Sequence, residues 1–178
     1  MMESSNCSIS IITPTYNEAE NIPELIDRIE KTMKDKNFEI IIVDDNSDDG
    51  TADIAENLGK NYGNIKVIKR PRKMGLASAI LDGIKVANGD IIAVMDADLQ
   101  HPPELLPEMI KKIHEGYDIV IASRYVEEGG IEEWSILRRL ISIGAISFAH
   151  LLFPRTRKVR DPISGFFYLR KVWLVELS

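Results

Sequence analysis

Short β-branched runs alternate with stretches of helical period along most of this chain, and that alternation restricts it to parallel strands joined by crossover helices. Residues 8–13, 39–44, 65–69, 90–95 and 117–122 read as strands. Between the first two, Ile22, Leu25, Ile26, Ile29 and Met33 recur at helical spacing, with Pro23 suited to a first turn and Asn21 to its cap. Residues 53–60, 75–87 and 103–115 supply three more helices. The last carries Leu105, Leu106, Met109, Ile110 and Ile113 on one stripe. The expected architecture is a doubly wound α/β sheet, mainly parallel, in one domain of 178 residues. Past Arg124 the alternation stops, and a Gly/Glu-rich stretch at 127–133 leads into an apolar segment.

Charge and cysteine usage narrow the function classes. A net charge of −6 disfavours a nucleic-acid groove, which needs a surplus of cations to meet phosphates. The one cysteine, Cys7, excludes an internal disulfide framework and a CxxC zinc site. Neither GxxxxGK[ST] nor GxGxxG occurs, so a P-loop enzyme and a dinucleotide oxidoreductase both lose support. The longest uncharged stretch, 140–153, is too short for the ~20 residues of a spanning helix. Flanked by Arg138, Arg139, Arg155, Arg157, Lys158 and Arg160, it reads either as an amphipathic helix lying on a membrane or as a buried core helix with basic edges.

In an open α/β sheet, ligands bind beyond the carboxyl ends of the strands. Those ends are acidic here. Pro14-Thr15-Tyr16-Asn17-Glu18 follows the first strand, Asp44-Asp45-Asn46-Ser47 the second, and Asp96-Ala97-Asp98-Leu99-Gln100 the fourth. Two carboxylates at i and i+2 leaving a strand can address one hard cation together with substrate phosphates. The spacing alone says little, because 13 aspartates in 178 residues give about one Asp-x-Asp by chance. Position says more: this one sits between Ile91-Ile92-Ala93-Val94-Met95 and Pro102-Pro103, in a strand-end loop. The competing role is a capping cluster for the next helix. Adjacent Asp44 and Asp45 would repel unless one of them accepts ligand hydroxyls or backbone amides. Asp48, Asp49, Gly50 and Thr51 read as a turn and helix cap.

Taken in order, these motifs, with Thr13, Asp49-Gly50-Thr51, Gly75-Leu76, His101-Pro102-Pro103, Ser123-Arg124-Tyr125 and Asp161-Pro162-Ile163-Ser164-Gly165-Phe166-Phe167, resemble the dolichyl-phosphate mannosyltransferase branch of the inverting family 2 glycosyltransferases. The resemblance covers nearly the whole chain and implies a GT-A fold. It further implies that Pro14, Tyr16, Glu18, Val43 and Asp45 line a nucleoside pocket and that Asp96, Ala97 and Asp98 face the sugar nucleotide. Asp96, Asp98 and Gln100 would hold a divalent metal, Mg²⁺ or Mn²⁺. Arg124 would meet phosphate charge at the reacting centre, and Arg138 and Ser142 would bind the acceptor phosphate. Their spacing of four puts the last two on one helical face. Asp98, Arg124 and Arg138 are thus the expected catalytic groups.

The reaction implied is mannose transfer from GDP-mannose to a polyprenyl phosphate such as dolichyl phosphate, at the cytoplasmic face of a membrane to which the chain attaches peripherally. A phosphate monoester is already anionic near neutral pH, so no general base is required. The resemblance also leads us to expect further core residues after the Ser-Gly-Phe-Phe motif, making 1–178 a GT-A domain cut short at its C-terminus. It names no protein partner. Three other readings remain: a related transferase using UDP-glucose or another lipid acceptor, a catalytically silent nucleotide-sugar binding module, and a phospho-acceptor receiver domain, which leaves Asp-x-Asp-x-Gln without a role.

Overall fold

A computed structural model describes residues 8–122 and 165–171. The chain divides into two units, Met1–Val120 with Phe166–Ser178, and Ile121–Gly165. The second lies almost wholly outside the described residues. Arg124, Arg138, Ser142 and the apolar segment 140–153 are outside the described residues.

Strands β1 (Ile9–Thr15), β2 (Phe38–Asp44), β3 (Ile65–Lys69), β4 (Ile91–Val94), β5 (Ile119–Ile121) and β6 (Phe167–Arg170) form one sheet in the order β3-β2-β1-β4-β6-β5. β1 pairs in parallel with β2 and β4, β2 in parallel with β3, and β6 antiparallel with β4. The sheet is therefore mixed, in agreement with the expected α/β class. β6 is the element that alternation does not announce. It is held where the small Ala93 faces Tyr168, whose ring is fully buried.

Helices α1 (Ile22–Met33), α2 (Thr51–Tyr62), α3 (Leu76–Val86) and α4 (Leu106–His114) connect the strands, with a 3-10 turn at Pro103–Leu105 before α4. The stripe expected on α1 is the buried one: Ile22, Leu25, Ile26, Ile29 and Met33. Pro23 stands in the first turn as expected, but Asn21 makes no side-chain cap. Asn21 already has a helical backbone, φ −87° and ψ −31°, where a capping residue is extended, and its Nδ2 donates to the Glu18 carboxylate at 2.7 Å. The single helix expected over 103–115 is split, because Pro107 lacks the N–H that would bond the Pro103 carbonyl in one continuous ladder.

Ile12, Ile41, Val43, Ala79, Ala87, Ile92 and Val94 pack together where α3 lies on β1 and β2. With a strand period of two, Ile11 and Ala93 face the other side. Gly83 lets α3 come close: a Cβ there would stand 2.5 Å from Ile12 Cγ2. Each isoleucine so buried contributes about 1.5–3 kcal/mol.

Candidate active site

The connections run from β1 outward to β2 and β3, then return to β4 on the other side of β1. This order reverses between β1 and β4, and a crevice opens at such a switch point beyond the strand ends. Pro14 marks where the two strands part. The Thr15 carbonyl accepts from the Asp45 amide of the β2 side at 2.9 Å, and the Ile12 carbonyl accepts from the Met95 amide of the β4 side at 3.0 Å. Even-numbered β1 residues are therefore turned toward β4. Pro14 comes after the last β1–β4 pair, Ile12 with Val94, so its missing N–H costs no ladder bond.

The loops after β1 and β2 are tied to each other. The Asn17 amide donates to Ser47 Oγ at 2.9 Å, the Glu18 amide to Thr51 Oγ1 at 2.9 Å and the Ala19 amide to Asp49 Oδ2 at 3.0 Å. Asp49 Oδ1 also takes the Thr51 amide at 3.0 Å, which closes the expected turn, while the cap position of α2 is Gly50 and carries no side-chain cap. Burial works against the charged form of Asp49, but the Thr51 hydroxyl and the two amides outweigh it and hold its carboxyl below the ordinary value. Asn17 and Asn46 adopt left-handed backbones, φ 58° and 66°, which asparagine tolerates. Asp44 is buried and accepts from Thr15 Oγ1 at 3.1 Å and from the Ser47 amide at 2.9 Å. A cleft of about 380 Å³ opens beside Glu18, Glu20 and Asp49.

Asp45 anchors the loop between β3 and α3. Oδ1 accepts from the Met74 amide and from Arg70 Nη1, and Oδ2 from the Gly75 amide, each at 2.8 Å. Arg70, itself buried, also donates to Ser78 Oγ at 2.7 Å and to the Gly75 carbonyl at 3.2 Å. Burial pushes the Asp45 carboxyl up, but the two amides and the Arg70 guanidinium prevail and hold it below the ordinary range. The repulsion expected of adjacent Asp44 and Asp45 is thus relieved by protein donors, and Asp45 keeps little accepting capacity for a nucleoside. Val43 is fully buried beneath α3 and supports the site from behind. Tyr16, by contrast, is 42% exposed, and Lys73 Nζ lies 3.3 Å from its ring centroid.

At the end of β4, Ala97 is buried, Asp96 half-buried, and Asp98 and Gln100 exposed. Leu99 is left-handed, φ 59°, and this turn brings the Gln100 amide to Asp98 Oδ1 at 3.1 Å. Neither the 3-10 turn nor α4 has a side-chain cap, so the capping role weighed against a ligand role for this pair finds no support. Among the described residues, no three His, Cys, Asp or Glu side chains gather as a metal site. The donor set of Asp96, Asp98 and Gln100, all oxygen ligands at one loop, suits Mg²⁺ or Mn²⁺, which are commonly held by one or two carboxylates plus substrate phosphates.

The structure therefore brings Pro14, Tyr16, Glu18, Val43, Asp45, Asp96, Ala97, Asp98 and Gln100 to one edge of the sheet. Sequence reasoning missed Arg70 and Lys73. The signal was present in the basic run Lys69-Arg70-Pro71-Arg72-Lys73, which follows the third strand as the acids follow the others.

Known proteins agree with this architecture. The Glycosyl transferase family 2 profile matches residues 10–177. The chain is 50% identical over 163 residues to a dolichol-phosphate mannosyltransferase of Pyrococcus furiosus, covering 92% of this chain and 46% of that protein. It is 38% identical over 169 residues to the dolichol-phosphate mannosyltransferase of Saccharomyces cerevisiae, covering 93% and 61%. The chain thus spans about half the length of the curated relatives it matches. Among solved structures, mannosyl-3-phosphoglycerate synthase from Rubrobacter xylanophilus superposes with a TM-score of 0.72 at 24% identity, over 93% of this chain and 54% of that one. Glucosyl-3-phosphoglycerate synthase from Mycobacterium tuberculosis, in complex with Mn²⁺, UDP-glucose and phosphoglyceric acid, gives 0.71 at 22% identity, over 94% and 58%. At these identities the two structures establish a shared fold, the GT-A architecture.

Proposed function

The chain belongs to glycosyl transferase family 2, and from that premise we propose that it transfers mannose from GDP-mannose to a polyprenyl phosphate of the dolichyl type, with inversion at the anomeric carbon. The observation that carries this reading is the half-identity with a dolichol-phosphate mannosyltransferase over 92% of the chain.

The site's geometry supports such chemistry. Tyr16 offers an exposed aromatic face at the nucleoside end of the crevice. Asp96, Asp98 and Gln100 would hold Mg²⁺ or Mn²⁺ at the diphosphate end. A cation bound there supplies positive charge to the departing diphosphate. The left-handed turn at Leu99 fixes one Asp98 oxygen on the Gln100 amide and leaves the other for a ligand. The acceptor is itself an anion near neutral pH, so the protein must position it and offset its charge rather than deprotonate it. We assign that work to Arg124, and to Arg138 with Ser142, on the family resemblance.

A long isoprenoid stays in the bilayer, so the reading includes peripheral attachment at the cytoplasmic face of a membrane. Among the described residues, no helix is long and apolar enough to cross one. The test is mannose transfer from GDP-mannose to a short polyprenyl phosphate, with and without Mn²⁺, with UDP-glucose as the competing donor. Transfer that needs the metal and prefers GDP-mannose is expected. Transfer from UDP-glucose alone, or undiminished transfer in chelator, overturns the donor or the metal assignment respectively. Flotation with anionic liposomes at low salt tests the attachment, and failure to co-migrate counts against it.

A further inference from the structure

Lys73 sits in a loop that is fixed at its C-terminal end by Asp45, through the Met74 and Gly75 amides, and at its N-terminal end by Arg70 on the same carboxylate. The loop thereby carries Lys73 onto the face of Tyr16. Most of the cations around it are matched with acids, Lys66 with Glu39, Lys69 with Asp53 and Glu56, Arg70 with Asp45 and Lys85 with Asp82, while its neighbour Arg72, like Lys73, forms no ion pair among the described residues. Lys73 meets no carboxylate among the described residues, although the chain has six more acids than bases. An ammonium with no counter-ion among the described residues, resting on an exposed aromatic face, has two things a nucleotide can exchange with: the ring it covers and the charge it carries.

We propose that Lys73 is an exchangeable cation of the donor site: it covers Tyr16 until a nucleobase takes that face, and its ammonium then passes to the donor's diphosphate. Stacking of a base on an aromatic ring outweighs the hold of a solvent-exposed ammonium on the same ring, so the exchange runs toward the base. The four-carbon stem and freely rotating donors of lysine suit a group that must move between two seats. A bare nucleoside has to evict the ammonium with nothing to receive it, whereas a nucleoside diphosphate supplies the anion. Lys73 therefore selects for ligands that join a planar base to a phosphate. The exchange rests on the nucleotide-donor reading and adds to it a residue and a mode of selection.

Calorimetry with guanosine and with GDP, Mn²⁺ present throughout, on the whole chain and on Lys73→Met tests it. Removing the competitor should tighten guanosine about 2- to 5-fold, the equivalent of an exposed cation–π contact of about 0.5–1 kcal/mol. Losing the cation should weaken GDP about 3-fold or more. The preference for GDP over guanosine then falls at least about 6-fold. In parallel, the Lys73 ε-methylene protons should be shielded by the Tyr16 ring in the free protein and lose that shielding on saturation with GDP. An unchanged preference in Lys73→Met, or shielding that persists in the GDP complex, overturns the inference while leaving the donor reading intact. A wild-type protein that is folded but binds neither ligand defeats the donor reading itself, and this inference with it.

Discussion

Replacing Arg70 with methionine isolates the buried anchor of the site. Arg70 and Asp45 are 4% and 5% exposed, and the pair closes at 2.8 Å. Removing one partner of a buried pair costs about 3–5 kcal/mol, because the other charge is stranded. Asp45 would still hold the Met74 and Gly75 amides, which places the expected loss near the lower end, about 3 kcal/mol. For a chain of this size that corresponds to a fall in Tm of about 6–12 °C. The loss should also depend on pH with a definite sign. The folded-state pKa of Asp45 is depressed, so its contribution is complete above its unfolded value, about 3.9, and is lost as pH falls through the lower folded value. The unfolded value cancels between the two proteins, so the gap should be greatest near pH 7 and shrink in acid, where the Asp45 carboxyl protonates first in Arg70→Met, which lacks the guanidinium that holds it down. Urea denaturation of both proteins across that range measures it. A gap below about 1 kcal/mol at pH 7, or one that does not change in acid, would refute the claim that this pair is a buried charge couple rather than a screened surface contact.

Three further perturbations have definite outcomes. Gly83→Ala puts a methyl 2.5 Å from Ile12 Cγ2 and 3.2 Å from Val43 Cγ2, so it should cost about 1–3 kcal/mol despite alanine's better helix propensity; thermal unfolding decides. Asp98→Ala removes an exposed side chain, so Tm should stay within about 2 °C of wild type, while mannose transfer falls about a hundredfold or more. Near-normal turnover would defeat the metal assignment. Pro14→Ala adds an N–H on the side where β1 and β4 have parted, and its stability change should stay below about 1 kcal/mol; a larger loss in urea denaturation would show that the proline does more than mark the split.

Much of the fold is legible because its signals are local. The five runs read as strands contain strands, since short continuous β-branched runs favour an extended backbone, and burial on both faces of β1, β2 and β4 needs such runs. The stripe on α1 is equally local, its apolar residues recurring at helical spacing. β6 is not legible this way. Phe167–Arg170 is short and takes its place from pairing with a strand more than seventy residues earlier in the chain, where Ala93 leaves room for Tyr168. The cap on α1 failed locally instead, because Asn21 is already helical in its backbone where a capping residue must be extended.

The acid pairs at the strand ends show why residue type and strand-end position locate a site without dividing its labour. Asp44-Asp45 and Asp96-Ala97-Asp98 look alike in sequence, as carboxylates directly after an apolar run. β2 lies between β1 and β3, so the loops following all three strands crowd its end and supply donors: Ser47 for Asp44, and Arg70, Met74 and Gly75 for Asp45. β4 ends at the switch point, where β1 has already turned away after Ile12, and Asp98 there is exposed. The same chemistry is thus tied up by protein donors at one strand end and left exposed, at Asp98, at the other. Strand order decides between them, and strand order is set by packing between segments far apart in the chain rather than by the residues that carry the charge.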